Sequence, residues 1–254
     1  MTFMHSQANC PIMKGDNRHM DQKIMERSNT IGIVGIITDK PYLILDASEW
    51  RKRLYETKLE RVRPSGAKDI FILQFDGSAA GTEKRIEEIT KGVEVMIGGE
   101  IRTENVYDPR PEENRVKIYI YAEMIAVNDP PVDDQNEVTI RGNICRPPYY
   151  RQTRSRTVKG KRRTVTNLIV AVNSNKGTNY IPCVCFGWQA FLANALEVGD
   201  YVEIYGRFQS REYRKRIDGQ KPPYLVTVYE VCANKIKSRK IKEEGQEEER
   251  GSDV

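Results

Sequence analysis

The stretch Val198-Gly-Asp-Tyr-Val-Glu-Ile-Tyr-Gly-Arg-Phe-Gln-Ser-Arg-Glu-Tyr213 decides the fold, because the rest of the chain repeats it, leads into it or trails from it. Val202, Ile204 and Phe208 alternate with polar residues, the period of a strand with one face on a core. Gly199-Asp200 ahead of them is a turn. Gly206 inside the run marks a bulge or sharp bend of the kind a small barrel needs to coil on itself. Past Gly206 the character changes: Arg207, Arg211, Tyr213, Arg214, Lys215 and Arg216 interleave cations with an aromatic ring. That mixture suits phosphates and aromatic bases together.

Working outward, the stretch has an earlier copy. Gly35, Gly92 and Gly99 recur as Gly142, Gly199 and Gly206, each displaced by 107 residues, and Lys91-Gly-Val-Glu-Val-Met-Ile-Gly-Gly99 stands beside Val198 to Gly206. Toward the ends of the copies the offset becomes 111, with Ala122-Glu-Met-Ile125 beside Ala233-Asn-Lys-Ile236, which a four-residue loop difference explains. Each copy reads as five strands with a short helix before the fourth. In the second copy the strands are expected near Val138–Cys145, Thr164–Val172, Tyr180–Phe186, Tyr201–Gln209 and Leu225–Ile236, with a helix over Trp188–Leu196. In the first, Ile86-Glu-Glu-Ile89 is the apolar edge of the helix. The expected fold is all-β: two tandem five-stranded Greek-key barrels of the OB type, each with a short helix. The expected divisions are a flexible leader (1–27), a first barrel (28–128), a linker (129–135), a second barrel (136–240) and an acidic, disordered tail (241–254).

A length of 254 residues suits two domains, and a mean hydropathy of −0.63 with no long apolar run argues against a membrane span. The polar leader is not a signal peptide, so the cytoplasm is the expected compartment. Five cysteines, an odd number, fit a reducing environment better than a disulfide scaffold. Cys183-Val-Cys185 invites a metal reading, but strand residues two apart share a face and no second ligand pair exists, so both read as small buried hydrophobes. Charge separates the halves. Residues 136–240 hold 20 basic and 7 acidic residues, net +13, against 15 basic and 20 acidic over 28–135, net −5. A polyanion partner is therefore expected for the second half alone.

The longest connection of the second copy, Arg151 to Arg163, carries Arg151, Arg154, Arg156, Lys159, Lys161, Arg162 and Arg163 and no acid. Seven cations on one loop repel one another, so an anion that neutralises them binds with a steep salt dependence. Aromatics adjoin them: Tyr149 and Tyr150 before the loop, Tyr180 opening the third strand, Phe186 and Trp188 closing it, and Tyr213 after the fourth. Stacking a base on such a ring tolerates any sequence.

These residues carry a family resemblance. Through Tyr180-Ile-Pro-Cys-Val-Cys-Phe-Gly-Trp188, Leu168-Ile-Val-Ala-Val-Asn173 and Gly206-Arg-Phe-Gln-Ser-Arg-Glu-Tyr213 the second copy resembles the bacterial single-stranded DNA-binding protein family. The whole is similar to its duplicated members from Gram-positive bacteria, with Leu59-Glu-Arg-Val-Arg-Pro-Ser-Gly-Ala-Lys-Asp69 in the first half and Asn143-Ile-Cys-Arg-Pro-Pro148 in the second. The resemblance implies a non-catalytic protein that coats single-stranded DNA in replication, recombination or repair, with no metal or cofactor. It puts the stacking rings at Tyr180, Phe186 and Tyr213. A further tryptophan of the family falls near Asn173 to Lys176, where this chain has no aromatic. With the loop cations, the expected contacts are Tyr150, Trp188, Arg207, Arg211 and Lys215. In the first copy Tyr180 is expected opposite Asp69, Tyr213 opposite Val106 and Phe186 opposite Phe75, which with its acidity makes it a scaffold or oligomerisation half. Family members assemble four barrels, so a homodimer is expected. The Gly-Ser-Asp-Val end lacks the bulky apolar terminus with which the family recruits replication and repair proteins.

Other readings stay open. An accessory protein of the primosome or of recombination would prefer RNA or branched DNA, and a non-binding scaffold would leave the +13 half unexplained. A nuclease needs paired carboxylates for metal. The second half has seven acids, no close pair and no histidine.

Overall fold

The period-two alternation is realised in a computed structural model that describes residues 27–46, 52–77, 83–107, 116–128, 133–154, 162–174, 177–215 and 224–238. The first copy forms β1 (Asn29–Ile37), β2 (Tyr42–Leu45), β3 (Leu54–Val62), β4 (Lys68–Asp76), a 3-10 turn (Glu83–Glu88), β5 (Glu94–Asn105) and β6 (Val116–Val127). The second forms β7 (Asn136–Ile144), β8 (Tyr149–Arg154), β9 (Arg162–Ser174), β10 (Gly177–Phe186), α1 (Trp188–Asn194), β11 (Tyr201–Lys215) and β12 (Tyr224–Ser238).

Each copy closes on itself. In the first, β1 pairs with β5 and β3, β3 with β4, β4 with β6 and β6 with β5, and only β4–β6 is parallel. The second repeats this ring as β7, β9, β10, β12 and β11, with β10–β12 parallel. Five strands in this order make the expected Greek-key barrel. The barrels join through an antiparallel β1–β7 pair, Asn29 opposite Ile140 and Ile33 opposite Asn136. One apolar core runs through both, and at the junction Phe71 stacks on Phe208 with ring centroids 4.8 Å apart.

The repeated glycines sit where no side chain fits. A Cβ on Gly35 would lie 2.8 Å from the Glu60 carbonyl oxygen, and one on Gly142 2.3 Å from that of Ala171, where β1 and β7 cross β3 and β9. Gly99 and Gly206 come as close to Tyr121 and Cys232, and the register shifts at both, at Gly206 as expected. Gly92 and Gly199 turn the chain at φ of 90° and 96°.

Several expectations need correction. The basic connection is strand at both of its described ends: Tyr149, Tyr150 and Thr153 are good strand formers, and β8 pairs with β9 from Tyr149↔Asn167 to Arg154↔Arg162. Each barrel thus carries a sixth, short strand, β2 or β8, outside its ring. β11 and β12 run to 15 residues each as a long hairpin, well past Gln209. The helix of the first copy is only a 3-10 turn. The linker is anchored, since Arg61 donates from Nε to Asp134 at 2.9 Å and Val34 N–H donates to the Gln135 carbonyl. The leader before Arg27, the tail and residues 129–132 lie outside the described residues.

Candidate nucleic-acid interface

Residues paired across a ladder share a face, so register sorts the candidate side chains. Along β10, Ile181, Cys183 and Cys185 point into the core, and Tyr180, Pro182, Val184 and Phe186 point outward. From Val184 and Phe186 the pairings lead to Asn167 and Val165 on β9, then to Tyr149 and Arg151 on β8. Thr153, paired with Arg163, continues the row. On the other side Val184 pairs with Cys232 on β12, which faces Arg207 on β11. Gln209, Arg211 and Tyr213 follow Arg207 at alternate positions. One outer face of the second barrel therefore collects Tyr149, Arg151, Arg163, Phe186, Tyr180, Arg207, Arg211 and Tyr213.

Its rings are available and its cations sit beside them. Tyr149, Tyr180 and Tyr213 are 62%, 52% and 38% exposed. Phe186 is half-buried against Val165, Val184 and Cys232, with the Arg163 guanidinium carbon 3.8 Å from its ring centroid. Phe186 is thus both packing and contact, and the guanidinium plane over it is itself a stacking surface. Arg151 and Arg211 lie 6.0 and 5.9 Å from the rings of Tyr149 and Tyr213. Arg211 donates from Nε to Glu230 at 3.1 Å, which fixes its direction. Among the described residues, Arg151, Arg163 and Arg207 form no ion pair with a carboxylate. Asn167 Oδ1, also on this face, is the one buried side-chain oxygen among the described residues without a hydrogen-bond partner.

The remaining expected contacts separate. Tyr150 and Arg154 point to the opposite side of the hairpin, where Tyr150 pairs with the buried Thr166 and Arg154 with Arg162. Thr166 Oγ1 donates to the Ala190 carbonyl of α1 at 2.6 Å, so this is the helix side. Trp188 on α1 is 67% exposed and stacks on Phe191, centroids 5.5 Å apart. Arg156, Lys159 and Lys161 lie outside the described residues, as does the side chain of Lys215. Tyr149 is the ring left out of the expected set. Reading Tyr149-Tyr-Arg151 as strand would have put Tyr149, not Tyr150, beside Arg151.

Residues 135–239, the whole of this barrel, match the model of the Single-strand binding protein family. The second barrel is thus similar to that family. No curated protein matches the chain. Among solved structures, the wild-type single-stranded DNA binding protein from Thermus aquaticus matches at a TM-score of 0.61 and 18% identity, over 83% of this chain and 92% of that one. A deletion mutant of the same protein matches at 0.62 and 18%, over 83% and 93%. The two-barrel fold is therefore shared along nearly the full length of that protein.

The thiols of the second barrel are core groups. Burial, then the neighbouring Cys232, pushes Cys185 up to about 12, and burial raises Cys183 well above the ordinary thiol range. Among the described residues no group of three His, Cys, Asp or Glu could hold a metal ion.

The corresponding face of the first barrel is closed by its own charges. The parallel pairs Leu73↔Ile120 and Cys183↔Val231 fix the offset on these strands at 110, so Tyr180 corresponds to Ile70 and Phe186 to Asp76. The expected pairing with Asp69 and Phe75 is off by one residue, which on a strand exchanges the two faces. Phe75 is in the core. Lys117 donates to Glu56 at 2.6 Å, and Tyr42 and Gln74 donate to the same carboxylate at 2.5 and 2.7 Å. Arg102 lies 3.3 Å over the Tyr121 ring and pairs with Glu100. Burial, then the hydrogen bond to Asp76, pushes Tyr121 up to about 12.

Proposed function

We propose that this protein binds single-stranded DNA with little sequence preference on the outer face of β8, β9, β10, β12 and β11. Tyr180, Phe186, Tyr213 and Tyr149 stack bases, and Arg151, Arg163, Arg207 and the hairpin cations follow the phosphates. The observation that carries this is the row of exposed rings beside Arg151, Arg163 and Arg207, which pair with no carboxylate among the described residues, on a barrel that matches the single-strand binding family model. That family comprises non-enzymatic DNA-binding proteins, which displaces the nuclease reading. The test follows Trp and Tyr fluorescence on titration with an oligothymidine at several salt concentrations. The expected result is tight binding that falls linearly with log salt. Salt-independent or absent binding at low salt would overturn the proposal, and a preference for an RNA oligomer of the same sequence would favour the accessory reading.

The first barrel is not a second binding surface in this proposal, because Ile70 and Asp76 stand in the places of Tyr180 and Phe186 and its cations Lys117 and Arg102 are paired with Glu56 and Glu100. Support for a homodimer of four barrels comes from the outer face of β1, β5 and β6, where Ile36 and Met124 stand exposed around Gly32 and Gly98. Sedimentation that gives a monomer at micromolar concentration would refute it. Residence on the nucleoid in the cytoplasm, among replication or repair proteins, follows from the same ligand. Among the described residues no helix is long and apolar enough to cross a membrane.

A further inference from the structure

We propose that the first barrel is part of the binding site of the second: its Asp69, Arg63 and Thr103 are positioning residues that hold the two strands carrying Tyr213 and Tyr180. This role rests on the single-strand binding proposed above.

Asp69 is fully buried at the start of β4 and reaches across the junction to Ser210 on β11. Its Oδ1 accepts from the Ser210 N–H at 2.7 Å and from the Ser210 hydroxyl at 3.1 Å. Arg63 donates from Nε to Asp69 Oδ2 at 2.7 Å and from Nη2 to the Ser210 carbonyl at 2.6 Å. Amide, carbonyl and hydroxyl of Ser210 are thus all held by the other barrel. The neighbours Gln209 and Arg211 are both tied to Glu230, and three residues beyond Ser210 stands Tyr213. On the other side of the junction, Asn179 Oδ1 accepts from the Thr103 N–H at 2.9 Å, and the Tyr180 N–H donates to Thr103 Oγ1 at 3.0 Å.

The two junctions are copies of one another, with Asp69 in the place of Asn179, Ser210 of Thr103 and Ile70 of Tyr180. They differ in charge. An amide suffices where β5 is held, and a buried carboxylate with its arginine stands where β11 is held, at the root of the hairpin that presents Arg211 and Tyr213. Burying a carboxylate costs stability unless it is paired and fully hydrogen-bonded, and charge-assisted bonds of this kind are stronger than neutral ones. A site whose strands are fixed before the ligand arrives loses less freedom on binding. The Arg63-to-Asp69 motif of the first half thus has a use in the second.

The test uses the full chain and the oligothymidine titration with Asp69→Ala, Thr103→Val and Thr103→Ser, each checked for a native circular dichroism spectrum. Asp69→Ala should weaken binding about tenfold, as expected for lost anchoring hydrogen bonds. The slope against log salt should not change, because no phosphate contact is removed. Tyr213→Ala added to Asp69→Ala should cost much less than it does alone. Thr103→Val should bind more weakly than wild type, and Thr103→Ser should restore it. Folded variants that bind like wild type, effects that add fully to Tyr213→Ala, or a shallower salt slope would each overturn the proposal. If Asp69→Ala does not fold, the Thr103 pair decides. Failure of the wild type to bind would instead overturn the single-strand binding reading itself.

Discussion

Tyr213 and Arg163 share a face but contribute differently, and substitution separates them. Tyr213→Ala removes a stack worth about 1–3 kcal/mol, so affinity should fall roughly tenfold or more with the salt slope unchanged. Arg163→Ala removes a phosphate contact, so the slope for a single strand should become shallower by about 0.7, read from the same titration at four or more salt concentrations. The thiols give a second residue-level outcome. Cys183, Cys185 and Cys232 are buried, and burial raises all three thiols. Iodoacetamide at pH 8 should therefore leave them unmodified in the native protein and modify them in urea, as mass spectrometry would show; rapid native alkylation would contradict the core reading. At this scale the sequence was most legible where side-chain type alone is informative, as with Tyr180, Tyr213 and Cys183. It was least legible for the roles of Asp69, Ser210 and Thr103 across the junction, where the partners are more than 70 positions away.

Strands and turns were legible because alternation and glycine report on backbone directly. Gly206→Ala would put a Cβ 2.2 Å from the Cys232 carbonyl oxygen. It should lower the urea midpoint by the equivalent of about 2–3 kcal/mol, since the bulge cannot yield without moving β12. The hairpin β8–β9 was read as a loop because its charge run masks its period of two. Its cations oppose one another: Arg154 faces Arg162 directly. Like charges across a ladder destabilise it. Arg154→Gln with Arg162→Gln should thus raise the thermal midpoint slightly at low salt, and, because this pair lies on the helix side of the hairpin, should weaken DNA binding less than Arg163→Ala does.

At the scale of the whole molecule, duplication gave two barrels of one topology, and the division of roles proposed for them follows their charge. The division was legible in the +13 and −5 of the halves; the one-residue change in offset along β4 and β10 was not, because it depends on strand register, which sequence spacing does not fix. The polar face of the first barrel has its own signature. Burial of Glu56 opposes its charge, but the hydrogen bonds from Lys117, Tyr42 and Gln74 outweigh it and hold the carboxyl below its ordinary value. Its contribution to stability is therefore complete above the unfolded carboxyl value and is lost as pH falls through the lower folded value. Glu56→Gln should flatten the acid limb of the thermal midpoint against pH. The face assignment for the whole protein is tested most directly by photo-cross-linking a 5-iodouracil-substituted single strand and mapping the adducts by mass spectrometry. Adducts at Tyr149, Tyr180, Phe186 and Tyr213 are expected; adducts concentrated at Tyr42 and Tyr121 would place the strand on the wrong barrel and contradict it.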